Sequence, residues 1–146
     1  MRSTVLFLAT LFLLSSATIV RGQSGWLALQ PNVVQLQGKL LKVMKYGPPG
    51  YGESPDSDAH YEIPILLLSQ PIRVEGDPLS AVNREDLLNV SFVQLIFHGT
   101  AAPEYWRYAN RNVIVSGSLF RAQTAHHYTP LVMDVKKITG AGNVAK

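Results

Sequence analysis

The segment Val34–Leu41, "VQLQGKLL", decides the fold that the sequence predicts. Apolar and polar residues alternate along it, as in a strand that buries one face. Gly38 interrupts the strand, and a mid-strand glycine usually marks a bend, a bulge or a close backbone approach. The segment Val113–Phe120, "VIVSGSLF", repeats the pattern V-x-[LV]-x-G-x-L-[LF] around Gly117. The pattern is loose enough to arise by chance, but two such strands are typical of a small, strongly bent β-sheet.

Further strands are predicted on both sides of these two segments. The predicted strands are 33–45, 61–68 with a continuation at 71–75, 90–98, 112–121 and 130–138. Turn residues fill a long loop over 46–60, and an excursion over 77–89 has room for one helical turn. Thr100–Asn110 is predicted as a short helix. Thr100 can cap its N-terminus, and Pro103 and Glu104 are suited to its first turn.

This order of elements predicts a mainly β chain. Three strands, one short helix and two further strands match a small five-stranded OB-fold-like barrel, with the helix between strands three and four. An SH3-like or other small β-barrel and a short sandwich are the alternatives. The pattern argues against a parallel α/β sheet, because successive strands lack helices of sufficient length between them. The barrel domain is expected to span 33–139 and a flexible tail 140–146.

The first 22 residues are typical of a secretory signal peptide. Arg2 supplies the positive charge, 5–20 is mostly apolar, and Val20 and Gly22 are small enough for cleavage before Gln23. An uncleaved anchor is the alternative, but a membrane span needs about 20 apolar residues. We therefore expect an exported protein, periplasmic or extracellular after cleavage near Gly22–Gln23, with no stable membrane insertion afterwards. Residues 23–32 then form an N-terminal leader.

Charge and cysteine content exclude several classes of function. Cleavage would remove Arg2 and Arg21 from the 13 Lys and Arg, leaving 11 against 10 Asp and Glu, a net charge of +1. So small an excess gives no support for nucleic-acid binding. The chain has no cysteine, which excludes disulfides, a thiol nucleophile and cysteine-ligated zinc.

His126 and His127 are the most conspicuous candidates for chemistry, in the segment 122–130, "AQTAHHYTP". Neighbouring strand residues point to opposite faces, so the pair could hold one divalent metal only in a turn. A lasting site needs about three protein ligands. The candidates to complete it are His98, His60, Asp134 and the loop acids Glu53, Asp56 and Asp58. The alternatives for the pair are a structural turn, an anion-binding site or general acid–base catalysis. No cofactor other than a divalent metal is expected.

Aromatic residues mark two further candidate binding regions. The segment "PEYWRYANR" carries Trp106 and Arg107, and such residues are favoured at binding surfaces. The loop 46–60 carries Tyr51 and follows the first strand, where OB-folds bind ligands. The structural alternatives are a helix whose Tyr105 or Trp106 plugs one end of the barrel, and a solvated connector.

No sequence motif supports an enzyme. "VSGSL" around Gly117 is not a nucleophile elbow, and the P-loop, dinucleotide and HExxH patterns are missing from the sequence. An enzyme of unrecognised type would require a concave pocket in which a histidine meets a carboxylate within hydrogen-bond reach.

The segment 112–138, "NVIVSGSLFRAQTAHHYTPLVMDVKKI", resembles the bacterial family called domain of unknown function 4431. The resemblance rests on G-x-L-F, A-x-T-[GA]-H-H and T-P-[LV], and extends upstream to about Val33. It implies an exported bacterial protein without an assigned activity. The pattern residues are Gly117, Thr124, His126, His127 and Thr129, and the usual glycine before the histidine pair is Ala125 here. If that glycine needs a positive φ, alanine would strain the turn.

Three functions follow as hypotheses. The first is a non-enzymatic binding module for another envelope or secreted protein or a cell-wall oligosaccharide, one version being an inhibitor or immunity protein. Its candidate ligand-binding residues are Thr124, His126, His127, Tyr51, Trp106 and Arg107. The second is a metal- or anion-binding protein that uses His126 and His127. The third is an enzyme of unrecognised type.

Overall fold

The computed structural model describes residues 20–21, 25–99 and 105–142. Seven strands lie in a single sheet, two of them only two residues long. The elements are β1 Val20–Arg21, β2 Trp26–Leu27, β3 Val33–Tyr46, β4 His60–Val74, β5 Leu87–Ile96, a 3₁₀ turn Trp106–Tyr108, β6 Asn112–Arg121 and β7 Leu131–Gly140. The mainly β prediction is confirmed, and among the described residues β1 and β2 join the sheet beside the five long strands β3 to β7.

Most predicted strands are confirmed to within a few residues. The predicted strand 61–68 and its continuation 71–75 form one strand, β4. The excursion 77–89 carries turns and no helix, and its end already belongs to β5. The predicted helix Thr100–Asn110 lies partly outside the described residues, and its described part is little more than the 3₁₀ turn. Residues 1–19 and 143–146, including most of the signal-peptide prediction, also lie outside them.

The long strands β3 to β7 form a closed circuit of pairings. β3 pairs antiparallel with both β6 and β4, β4 pairs with β5, β5 pairs parallel with β7, and β7 pairs with β6. β3 bonds β6 through residues 33–39 and β4 through residues 38–46. Gly38 therefore lies where β3 passes from one partner to the other.

The two mid-strand glycines are required by close packing, which explains the repeated sequence pattern. A side-chain Cβ at Gly38 would overlap the backbone carbonyl of Leu67, and one at Gly117 would overlap the carbonyl of Asp134. Gly117 also lies at a register shift between β6 and β7. The expected bend or bulge is thus confirmed at Gly117, and a close approach is found at both positions.

The core lies between the inward faces of the long strands. Its fully buried side chains include Leu36, Leu40, Leu66, Leu95, Leu119 and Met133. Tyr105 belongs to this core, and its ring stacks on that of Phe97 at a centroid distance of 4.0 Å. Tyr105 of the aromatic segment is therefore a packing residue. In the described part of the chain, no helix is both long and apolar enough to cross a membrane.

Candidate functional site

The segment 122–130, which we call the strap, connects β6 to β7. The Ala122 N–H donates to the Pro130 carbonyl at 3.0 Å and closes the strap at its base. Inside it, the His127 N–H donates to the Thr124 carbonyl at 3.0 Å. The Gln123 N–H donates to His127 Nδ1 at 2.9 Å. The strap is therefore an ordered turn rather than a loose connector.

Gln94 of β5 anchors the strap to the sheet. Its side-chain Nε2 donates to the His126 carbonyl at 3.0 Å, and its Oε1 accepts the Tyr128 N–H at 2.7 Å. Its backbone N–H donates to Thr129 Oγ1 at 2.9 Å, and that hydroxyl donates to the Leu131 carbonyl at 2.6 Å. Gln94 is 6 % exposed, so these hydrogen bonds satisfy a side-chain amide that water cannot reach.

The strap covers apolar residues on the outward face of the sheet. Ile65 and Val132 are both register partners of Gln94, and such partners point to the same face. Both are buried, yet neither belongs to the core cluster. Their outward face must therefore be covered from outside, and the bonds to Gln94 place the strap over it.

His126 and His127 diverge within the strap. His127 is half-buried, its Nδ1 accepts a backbone proton, and its ring meets Phe120 edge-on at 5.4 Å. His126 is exposed and its ring lies 6.4 Å from that of Tyr51. The described residues contain no group of three or more histidines and acids that could hold a metal. A metal site at the pair stays a prediction.

The other pattern residues of the strap have backbone and structural contacts. Thr124 is exposed, and its carbonyl closes the turn by accepting from His127. Thr129 bridges β5 and β7 through its hydroxyl. Ala125 is not among the residues with positive φ, so the turn accommodates alanine without backbone strain.

The loop between β3 and β4 is organised by a single carboxylate. Buried Asp58 accepts N–H groups from Gly50 at 2.7 Å, Gly52 at 2.7 Å and Ser54 at 3.3 Å. These bonds hold Tyr51 at a φ of 52°, a left-handed conformation that is rare for a bulky side chain. Burial by itself raises the pKa of Asp58, but the three N–H donors and nearby His60 bring it below its usual value of 3.8.

Asp58→Asn is expected to lower the melting temperature at neutral pH by roughly 5 °C, because an amide cannot accept three N–H groups as a carboxylate does. Since the folded state lowers the Asp58 pKa, the carboxylate stabilises the fold above about pH 4, and this stabilisation is lost as the pH falls through the folded pKa. Thermal unfolding between neutral and acidic pH should show a shallower pH dependence for Asp58→Asn than for the wild type. Asp56→Asn, in the same loop and exposed, is the matched control. Parallel pH curves for Asp58→Asn and the wild type would contradict the role of Asp58.

Three tyrosines and one histidine, from the loop after β3, from β4 and from the strap, meet at one surface. We call this surface the tyrosine patch: Tyr51, Tyr61, Tyr128 and His126. Tyr128 Oη donates to the backbone carbonyl of Tyr46 at 3.2 Å. The side chains of Tyr46 and His60 meet at 5.0 Å on the opposite face, because they neighbour Lys45 and Tyr61 along their strands. Tyr61 lies beside Gly47, where a Cβ would overlap its ring. Tyr51 and Tyr61 are exposed, so the patch faces solvent.

Tyr128 lies among the other members of the patch. Burial raises the pKa of Tyr128, and the neighbouring Tyr51 and Tyr61 raise it further. Lys45 Nζ lies 5.7 Å from the centre of the Tyr128 ring. At neutral pH Tyr128 is therefore an uncharged phenol beside a cation.

The structure separates Trp106 and Arg107 from this patch. Trp106 contacts Lys42, whose Nζ lies 5.1 Å from its ring centre. Lys42 and Lys45 are three residues apart on β3 and therefore point to opposite faces. Arg107 is exposed over Tyr108 at 4.8 Å. Of the six candidate ligand-binding residues, only Tyr51 and His126 meet side by side.

Local sequence signals do not identify the residues that build this site. Gln94 is a polar residue within the apolar run "VSFVQLIFH", and this placement is the one signal that it is buried. The sequence marks Asp58 only as a candidate metal ligand. Tyr61 lies in a predicted strand and Tyr128 in a predicted turn, and their convergence depends on strand pairing.

Part of the chain, including the strap, is similar to a known protein family. No curated protein matches the chain. Residues 92–139 match the family model described as Domain of unknown function (DUF4431). The match begins in β5, just before Gln94, and runs through β6, the strap and β7. The resemblance seen in the sequence is confirmed over residues 92–139, which are similar to this family of unknown function.

Proposed function

We propose that the protein is an exported, non-enzymatic binding module that recognises a cell-wall oligosaccharide through the tyrosine patch. The observation that carries this proposal is the convergence of Tyr51 and His126, from the loop after β3 and from the strap. Each segment is held rigidly, one by Asp58 and the other by Gln94. Rigid presentation lowers the entropy that a ligand must overcome on binding.

We further propose that the closed circuit of β3 to β7 is an OB-fold-like barrel. The order of pairings supports this proposal. β5, the third long strand, pairs parallel with β7, the fifth, and β6, the fourth, pairs with β3, the first. OB-folds bind oligosaccharides with the loop between strands one and two and the loop between strands four and five. The loop 47–59 and the strap occupy these two positions.

The chemistry of the patch suits sugar rings. A tyrosine offers a flat apolar face on which the C–H face of a sugar stacks, and a hydroxyl that bonds to its alcohols. His126 at the rim adds a donor and an acceptor. The strained φ of Tyr51 supports a functional role, because strain of this kind is retained mainly at functional sites. A protein partner would use the same tyrosines, and the test below separates the two classes.

Tyr51→Ala is expected to weaken binding of a linear N-acetylglucosamine oligomer about tenfold, by analogy with the loss of one stacked base on an aromatic platform. Titration calorimetry of the mature protein measures the change. Trp26→Ala is the matched control, because Trp26 and Tyr51 are both 46 % exposed and Trp26 packs on Arg73 of β4, outside the patch. We expect the control to bind as the wild type does.

Two results would contradict the proposal. In the first, the wild type binds neither the oligomer nor purified peptidoglycan but does bind an envelope protein, which would favour a protein partner. Alternatively, Tyr51→Ala and Trp26→Ala could both bind like the wild type, which would place the sugar elsewhere on the surface.

A further inference from the structure

A concave pocket borders the strap at Gln123, a residue outside the tyrosine patch. It has a volume of about 290 Å³, near the lower end of small-molecule sites. Its lining residues come from the leader, β5 and the residues after it, β6, the strap and β7: Gln30, Ile96, His98, Phe120, Gln123 and Asp134. Two amides, one imidazole and one carboxylate thus face a small space with one aromatic ring.

The carboxylate of Asp134 is the most constrained group in this pocket. Its Oδ2 accepts from Lys136 Nζ at 2.8 Å, and His98 Nε2 lies 2.8 Å from its Oδ1. The hydrogen bond from Lys136 lowers the pKa of Asp134; burial opposes this, and the charges of Lys136 and His98 add to the lowering. The carboxylate is thus ionised and its charge is balanced by Lys136, which leaves a polar pocket of low net charge.

A pocket in which a histidine meets a carboxylate is what an enzyme of unrecognised type requires. The pocket nevertheless lacks the groups for sugar cleavage. Glycoside hydrolysis by the usual routes needs two carboxyl groups on opposite sides of the bond. Asp134 is the single carboxylate among the six lining residues. These groups suit binding of a neutral, hydroxyl-rich ligand better than its hydrolysis, since amides, imidazole and carboxylate all exchange hydrogen bonds with alcohols.

Aromatic contacts connect the pocket to the tyrosine patch. Tyr51 lies beside His126, and the next residue, His127, meets Phe120 edge-on at 5.4 Å. Phe120 is itself part of the pocket wall. Gln123, another wall residue, donates its N–H to His127. The two surfaces are therefore the two flanks of one ordered strap.

We propose that the pocket formed by His98, Gln123 and Asp134 is a second sugar subsite, which holds a further ring of the oligosaccharide bound at the tyrosine patch. This inference rests on the proposed function. It predicts that the protein prefers long linear oligosaccharides, because only a ligand that crosses the strap can occupy both subsites at once. Joining two subsites in one ligand raises affinity without any new contact at either.

The test compares an N-acetylglucosamine dimer with the pentamer by titration calorimetry. We expect the wild type to bind the pentamer about tenfold more tightly than the dimer. Gln123→Ala and His98→Ala should each lose most of this difference while their affinity for the dimer stays unchanged. Both side chains suit the test because Gln123 is exposed and the His98 side chain is 73 % exposed, so folding should persist. Gln37→Ala, an exposed glutamine on β3, is the matched control.

The outcomes separate this inference from the proposed function. If Tyr51→Ala weakens the dimer but both pocket variants keep the wild-type preference for the pentamer, the second subsite is wrong and the patch stands. If the pocket variants weaken the dimer as strongly as Tyr51→Ala does, the two surfaces are not separate subsites and the inference is overturned. If the wild type binds neither oligomer, both proposals fall.

Discussion

Gln94→Ala is expected to lower the free energy of unfolding by about 3 kcal/mol, because the His126 carbonyl and the Tyr128 N–H both lose a buried partner. The truncation also leaves an empty space beneath the strap, next to Ile65 and Val132, which adds to the cost. Urea unfolding followed by tryptophan fluorescence measures the change.

Two further variants make this prediction specific. Gln70→Ala removes an exposed glutamine from β4 and is expected to change the free energy of unfolding by less than about 0.5 kcal/mol. Gln94→Glu keeps an acceptor for the Tyr128 N–H, but it cannot donate to the His126 carbonyl and buries a charge. It should therefore destabilise the protein as well. Wild-type stability of Gln94→Ala would contradict the anchoring of the strap.

The same variant connects the fold to the proposed function. His126 and Tyr128 both belong to the tyrosine patch, and Gln94 holds the backbone of each. A Gln94→Ala protein that still folds is expected to bind the oligosaccharide more weakly than the wild type, although Gln94 itself is buried beneath the strap. Unchanged affinity in that variant would show that the patch does not depend on the position of the strap.

Gly38→Ala is expected to destabilise the protein by about 3 kcal/mol, at the upper end of the cost of overpacking. The added Cβ would overlap the carbonyl of Leu67 and press on Leu68 Cα, and both are backbone atoms of β4. Backbone in a paired strand cannot rotate away as a flexible side chain would. The strands β3 and β4 would have to separate where β3 passes from one partner to the other.

Gly25→Ala provides the matched control for this prediction. A Cβ at Gly25 meets no atom within 4 Å, so alanine there should leave the free energy of unfolding unchanged. Urea unfolding of both variants gives the comparison. Equal stability of Gly38→Ala and Gly25→Ala would mean that β3 and β4 do not approach as closely as the structure indicates.

The sequence predicted the two glycine-containing strands well, because the signal is local. Alternating burial in 33–45 and 112–121 marks a strand with one face inside, and glycine in mid-strand marks a geometric constraint. The aromatic segment was harder to interpret. Its Tyr105 packs in the core while Trp106 lies partly exposed beside Lys42, and composition alone does not separate the two.

The candidate site was predicted only in part, and the reason is topological. Tyr51 and His126 were both candidates, but their sequence positions lie far apart and nothing local links them. The pairing of β3 with β4 and the attachment of the strap to Gln94 bring them together. Alternation along β3 points Lys42, and with it Trp106, to the opposite face from Lys45, which removed the candidate Trp106 from the site.

By itself, the sequence determined the mainly β class, the approximate strands and the need for glycine at two positions, since alternation and steric demand act between neighbouring residues. It also predicted the similarity of residues 92–139 to a family of unknown function through a short pattern. Only the tertiary structure decided that the strap lies over the outward face of the sheet. It also decided that three distant tyrosines share one surface and that His98 meets Asp134. These contacts depend on which strands pair and in which register, and strand pairing joins residues that the chain keeps far apart.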